Sequence, residues 1–247
     1  MTSLWRWTMA LTIAQGGAGR VEASDNPLTA KGPFVPTAHY VERQMLGWKV
    51  LINQELLAGR AELGTAAIGL LEMKLQAIRD AVPATALPAL QRVAIWLGVD
   101  DYAVPNACYH PSAEWLATHG WNPEKALAVE IGNAQAFLEW SRTQPMIVLH
   151  ELAHAFHHQV LTHSHRGIRD AYERAQRSGS YEKVARVDGP AQRAYALENE
   201  QEFFAELTEA YFGRNDFFPF TRKDIAGHDP GTLKLLERIW QRDESPQ

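Results

Sequence analysis

One cysteine, no long apolar run and no excess of positive charge set the first limits on this chain. Cys108 is the single cysteine in 247 residues, which excludes an internal disulfide and any multi-cysteine metal cluster. No His/Asn grouping in the sequence around it marks a nucleophile, so it reads as a small, partly buried side chain. Crossing a bilayer takes about 20 consecutive apolar residues; no segment has them, so no transmembrane segment is expected and the mature chain should be soluble. Lys plus Arg number 24 against 29 Asp plus Glu, a formal charge of −5. That balance gives no electrostatic reason for nucleic acid or an anionic membrane as partner. What is present is ordinary for a globular protein: 46% hydrophobic and 21% charged residues, in a length that can bury a sizeable core.

The N-terminus has its own pattern. Met1–Arg6 carries one positive charge, Trp7–Ala14 is a short apolar run, and Val21-Glu22-Ala23 is a small-residue cleavage site. Residues 1–23 therefore read as a weak signal peptide, which implies export to a periplasmic or extracellular space. The other reading is a mis-started or unstructured N-terminus on a cytoplasmic protein. Residues 24–36 form a Pro- and Gly-rich extended lead-in, and residues 37–247 read as one domain with two lobes around a cleft.

Apolar spacing predicts a mostly helical α+β chain with its few strands ahead of the central helix. From His39 to Arg79, Val41, Met45, Trp48, Leu51 and Ile52, then Leu63, Ala67, Leu70, Leu71 and Leu75, fit a helical hairpin broken near Gly59 or Gly64. Strands are expected within Arg92–Val99 and Ala126–Ile131, with Tyr102–Asn122 irregular between them. Helices are expected over Gln135–Arg142, Pro145–Thr162, Arg166–Ser178, Tyr195–Phe212 and after Pro230.

Six of the ten histidines fall between His150 and His165. At their head stands His150-Glu151-Leu152-Ala153-His154. On a helix, residues i and i+4 share a face, so both imidazoles can reach one ion, and Glu151 lies where a carboxylate can take a proton from an activated water. Taken alone, the pattern also fits a helix with two solvated histidines. Zinc catalysis needs a third protein ligand and an open position. The metzincin arrangement would put a histidine at position 160, which is Val160. His157, His158, His163 and His165 read as surface histidines or as neighbours of the ligands.

A better third ligand lies further on. In Tyr195-Ala-Leu-Glu-Asn199-Glu-Gln-Glu202-Phe-Phe-Ala-Glu206, the two glutamates stack at i,i+4 beside Phe203 and Phe204. Such a pair is usually a solvated face, but two like charges flanked by phenylalanines are better tolerated with a cation between them. If the helix reaches back to Tyr195, two turns earlier, the phenol shares Glu202's face; the plain alternative is a core tyrosine.

HExxH followed by a glutamate on a separate helix resembles the gluzincin pattern. The string from Tyr195 to Glu206 is similar to the active-site helix of the anthrax toxin lethal factor catalytic domain and its relatives. Tyr109-His110-Pro111-Ser112, Asn215–Phe220 and His228-Asp229-Pro230 resemble uncharacterised zinc peptidases with the same helix. The resemblance implies a zincin-like fold with a small sheet ahead of the HExxH helix and one Zn2+ per chain held by His150, His154 and Glu202. It further implies that Glu206 orients a zinc histidine and that Tyr195 faces the scissile group. It covers residues 144–220 and does not extend upstream of position 90, so lethal factor's substrate does not transfer. Gluzincins commonly bind substrate along an edge strand before the HExxH helix, which makes Asn133, after the second strand, a candidate contact to the substrate backbone; the other reading of Asn133 is a helix N-cap.

The expectation is a zinc-dependent metallopeptidase acting on a peptide or protein substrate, with Glu151 as the base and Tyr195 as the oxyanion donor. The alternatives are a non-catalytic zinc-binding pseudo-peptidase that captures peptides or proteins, and a helical interaction protein in which the motif is coincidental.

Overall fold

The computed structural model describes residues 34–100 and 107–241; the signal-peptide reading and most of the lead-in lie outside the described residues. The described chain opens with β1 (Tyr40–Met45) and β2 (Trp48–Asn53), an antiparallel hairpin. This corrects the first half of the expected helical pair. Trp48, Val50 and Ile52 are buried at a period of two, while Val41 is exposed. A short apolar stretch satisfies both periods, and here the turn decides. Leu46 and Gly47 have φ of 52° and 98°, the two positive values of a hairpin turn whose twist matches paired strands. A β-carbon on Gly47 would lie 2.2 Å from the Gln91 amide nitrogen, which donates to the Leu46 carbonyl at 2.9 Å.

The second half of that stretch is the helix α1 (Ala61–Ala81), burying Ala67, Leu71, Leu75 and Ile78 on one face. Gly64 does not break it. The helix passes so close to the preceding turn that a β-carbon there would sit 1.8 Å from the Leu56 carbonyl oxygen, so glycine permits the approach.

Beyond α2 (Leu87–Gln91) come β3 (Ile95–Leu97), β4 (Cys108–Tyr109), α3 (Ala113–Thr118), β5 (Val129–Ile131) and α4 (Ala134–Trp140). The strands form one sheet in the order β1-β2-β3-β5-β4, with β2, β3 and β5 parallel and β4 antiparallel to β5. Both expected strands are present. However, β5 is interior, and the edge nearest the following helices is β4, from a stretch expected to be irregular. Val50, Ile52, Ile95, Leu97, Val129 and Ile131 face the helical layer and form the main core with it. Leu51 and Trp96 face the opposite side with Tyr40 and Ala128.

The helical layer contains α5 (Ile147–Phe156), a π-helical turn over His157–Leu161, α6 (Arg166–Ser178), a small hairpin β6 (Val184–Arg186) and β7 (Gly189–Gln192), a 3-10 turn at Tyr195–Leu197, α7 (Glu200–Phe212), α8 (Arg222–His228) and α9 (Pro230–Trp240). Every residue of α5 except His154 is buried, as expected of a helix enclosed on all sides. Lys74 of α1 reaches the approach to α5, donating to the Pro145 carbonyl at 2.6 Å. The architecture is mixed α+β, more helix than strand. Among the described residues no helix is long and apolar enough to cross a membrane.

Candidate metal centre

α5 packs against α7, and the contact brings His150, His154 and Glu202 together. Nε2 of His150 lies 3.0 Å from Nε2 of His154 and 3.1 Å from Oε2 of Glu202; Nε2 of His154 is 3.5 Å from the same oxygen. Zinc bonds of about 2.0–2.3 Å imply tetrahedral donor atoms about 3.3–3.8 Å apart, so these spacings are close to a coordination triangle. The other ring nitrogen settles which His150 atom is available. Nδ1 donates to Oε1 of Glu209 at 2.7 Å, so a neutral His150 presents a bare lone pair at Nε2. With the His154 proton on Nδ1 as well, three acceptors converge at one point, and a shared cation relieves their repulsion.

The electrostatics agree. Burial alone would lower the His150 pKa, but hydrogen bonds to Glu202 and Glu209 overcome it and hold it well above the ordinary imidazole value. Burial pushes Glu202 upward, yet the neighbouring His154 and His150 bring it far below the usual carboxylate range. Without an ion a proton serves as the shared cation, and a divalent metal can take that place. Asn199 positions Glu202: its side chain caps α7 by accepting from the Glu202 N–H at 2.8 Å. A glutamate three residues into a capped helix often reaches back to the cap, whereas Glu202 reaches across to the histidines.

Glu151 is 1% exposed. Its Oε2 accepts from the backbone N–H of Tyr109 at 2.8 Å, and its Oε1 is buried without a partner among the described residues. Neighbouring His110 bonds through its N–H to the Ala128 carbonyl and through its carbonyl to the Leu127 N–H, just ahead of β5, so the Tyr109 N–H points off the free edge of the sheet and is taken up by Glu151. Burial raises the Glu151 pKa against the lowering influence of His150 and His154. A carboxylate anchored at one oxygen, with the other oriented and unsatisfied, is set to exchange a proton with a water.

Several expected roles shift. Glu206 is buried on the face shared by Glu202, but its nearest oxygen is 3.7 Å from His150 Nδ1, outside hydrogen-bond range. Glu209, one turn further, makes that bond instead, while Glu206 Oε2 accepts from Asn215 Nδ2 at 3.2 Å. The signal for Glu209 was present, since it lies seven residues after Glu202 and so on the same face. Tyr195 is not on that face by helical continuity, because α7 begins only at Glu200. It sits in the separate 3-10 turn, half-buried against the core. Asn133 is the N-cap of α4: its Oδ1 accepts from the Ala136 N–H at 2.8 Å and its Nδ2 donates to Asp100 at 3.1 Å. This is the helix-capping role of the two read from the sequence.

The remaining histidines divide. The Tyr109 hydroxyl accepts from Gln159 at 3.0 Å and so donates to His158 Nδ1 at 2.8 Å. His165 caps α6 by accepting from the Ile168 N–H at 3.3 Å. His157, expected at the surface or beside the ligands, is buried between His163 and Phe204, with both ring nitrogens unpartnered among the described residues. Burial, with smaller contributions from His163 and His154, lowers its pKa to about 3.

Comparison with protein families, curated proteins and solved structures finds no match to this chain.

Proposed function

We propose that this chain is a zinc-dependent peptidase of the gluzincin type, with a zincin-like fold. The observation that carries the reading is the convergence of donor atoms from the buried His150 and Glu202 and the partly buried His154, beside a glutamate with one oxygen tethered and the other unsatisfied. These three residues would hold the zinc. When bound, zinc supplies Lewis acidity, polarising a carbonyl and acidifying a water.

The chain's own residues do the rest. Glu209 keeps the His150 proton on Nδ1, so Nε2 stays a ligand atom. Glu151, steadied by the Tyr109 N–H, takes a proton from the attacking water at Oε1 and delivers it to the leaving amine as the C–N bond breaks. Its upward-shifted pKa suits a group that must hold the proton briefly before giving it away. The substrate backbone would lie along β4, the free edge beside Glu151, in the manner of an added strand. In this reading Tyr195 donates to the oxyanion, a role resting on the resemblance of its string to lethal factor.

The test is elemental analysis together with a cleavage profile on a peptide library, for wild type and Glu151→Gln. One zinc per chain is expected in both, with turnover in the variant reduced by roughly 10²–10⁴-fold. Equal cleavage by the variant refutes the mechanism. Zinc without cleavage in wild type points to the pseudo-peptidase instead.

A further inference from the structure

The opposite face of the sheet carries a second group of donors. Tyr109 faces the helical core, so its neighbour Cys108 faces away and packs with Leu116 and Trp121. Glu130, the register partner of Cys108 on β5, and His110, two residues after Cys108 and just past β4, share that outer face. All three are at most 4% exposed. Nε2 of His110 lies 2.6 Å from Glu130 Oε2 and 3.4 Å from Cys108 Sγ. We propose that Cys108, His110 and Glu130 form a second metal site, for a thiophilic divalent ion of the zinc class.

The donor set supports this. One donor atom from each residue lies within 4.8 Å of the other two; the sulfur–nitrogen spacing of 3.4 Å falls in the range of about 3.3–3.8 Å set by zinc bond lengths, and the His110–Glu130 pair, now hydrogen-bonded at 2.6 Å, would open to admit the ion. Among the described residues the polar contacts of Cys108 are with the His110 ring, at 3.4 and 3.9 Å. The one Nε2 position therefore faces both a sulfur and a carboxylate, and a single proton there, given to Glu130, leaves the sulfur poorly served. An ion bonded to all three satisfies them together. Lys125 does not block it, because it holds the other oxygen of Glu130, Oε1. Its ammonium is also steadied by the Tyr40 hydroxyl at 3.4 Å and by the Tyr40 and Trp96 rings. On binding, the ion forms a bond to sulfur, the thiol proton leaves to solvent, and the His110 proton sits on Nδ1. The ion would clamp β4 onto β5, the pair that presents the Tyr109 N–H to Glu151.

The chain's single cysteine makes the test direct. Metal-free full-length protein is titrated with Co2+ and followed by absorbance, because a sulfur-to-cobalt charge-transfer band requires a thiolate ligand. Wild type should bind two equivalents and show the band. Cys108→Ser, nearly isosteric, should lose the band and one equivalent. His154→Ala should keep the band while losing the other equivalent, so failure of the peptidase reading and failure of this one are distinguishable. A natively folded wild type without the band, or a Cys108→Ser variant that still binds two equivalents, overturns the proposal.

Discussion

Replacing Glu209 by glutamine tests which carboxylate prepares His150 for a metal. The His150 Nδ1–H bond to Glu209 is 2.7 Å long, and both groups are at most 1% exposed. Hydrogen bonds to a charged partner contribute about 1.5–3 kcal/mol, and each 1.4 kcal/mol is about tenfold in affinity. Glutamine keeps the size and an acceptor oxygen but loses the charge, so zinc binding should weaken by about 10–100-fold, the range typical of residues that orient a ligating histidine. Glu206→Gln should do less, since its carboxylate is 3.7 Å from the ring and already accepts from Asn215. The assay is competition for zinc against a chromogenic chelator, with melting temperatures of the metal-free proteins as a control for folding. If Glu206→Gln weakens zinc more than Glu209→Gln, the assignment of Glu209 is refuted.

Three further outcomes follow from particular contacts. Asn199→Ala removes the cap on α7 and should cost about 0.5–2 kcal/mol, read as a lower melting temperature; because the same bond positions Glu202, zinc affinity should fall with it. His157 is buried with a pKa lowered to about 3, so between its ordinary value and that one the unfolded chain binds a proton that the folded chain refuses. Its contribution to stability therefore falls as pH falls through that window, by a few kcal/mol at most, and His157→Leu should gain stability relative to wild type as pH drops from 8 to about 4 in thermal melts. Tyr195→Phe should lower kcat by roughly 10²–10³-fold with KM little changed if the phenol serves the oxyanion; a lower melting temperature with unchanged turnover would assign it to structure.

Much of the site was legible because it is local. The i,i+4 spacing of His150 and His154 with Glu151 between them is a property of one helix, and a helix dictates its own faces whatever packs around it. The same holds for Glu202, Glu206 and the overlooked Glu209. The helix over Arg166–Ser178 and the apolar run of β3 were equally self-contained.

What failed depended on contacts distant in the chain. The stretch from Val41 to Ile52 fits both a helical stripe and alternating strands, and it became a hairpin because β2 found β3 and the turn at Leu46-Gly47 found Gln91. Tyr195 left the face of Glu202 because Asn199 caps the helix first. Helix periodicity showed which glutamates face inward, but only packing of α7 on α5 chose Glu209 over Glu206 for His150. No spacing in the sequence tied the Tyr109 N–H to Glu151, or placed Cys108 and His110 against Glu130. Those pairings are made by the register of β4 on β5 and by the stacking of that sheet on α5. The sequence by itself determined α5, α6 and the body of α7, and which side chains share a face on each, since periodicity is encoded residue by residue. Only the tertiary structure decided which partners those groups meet, since strand pairing and layer packing join residues that no local pattern connects.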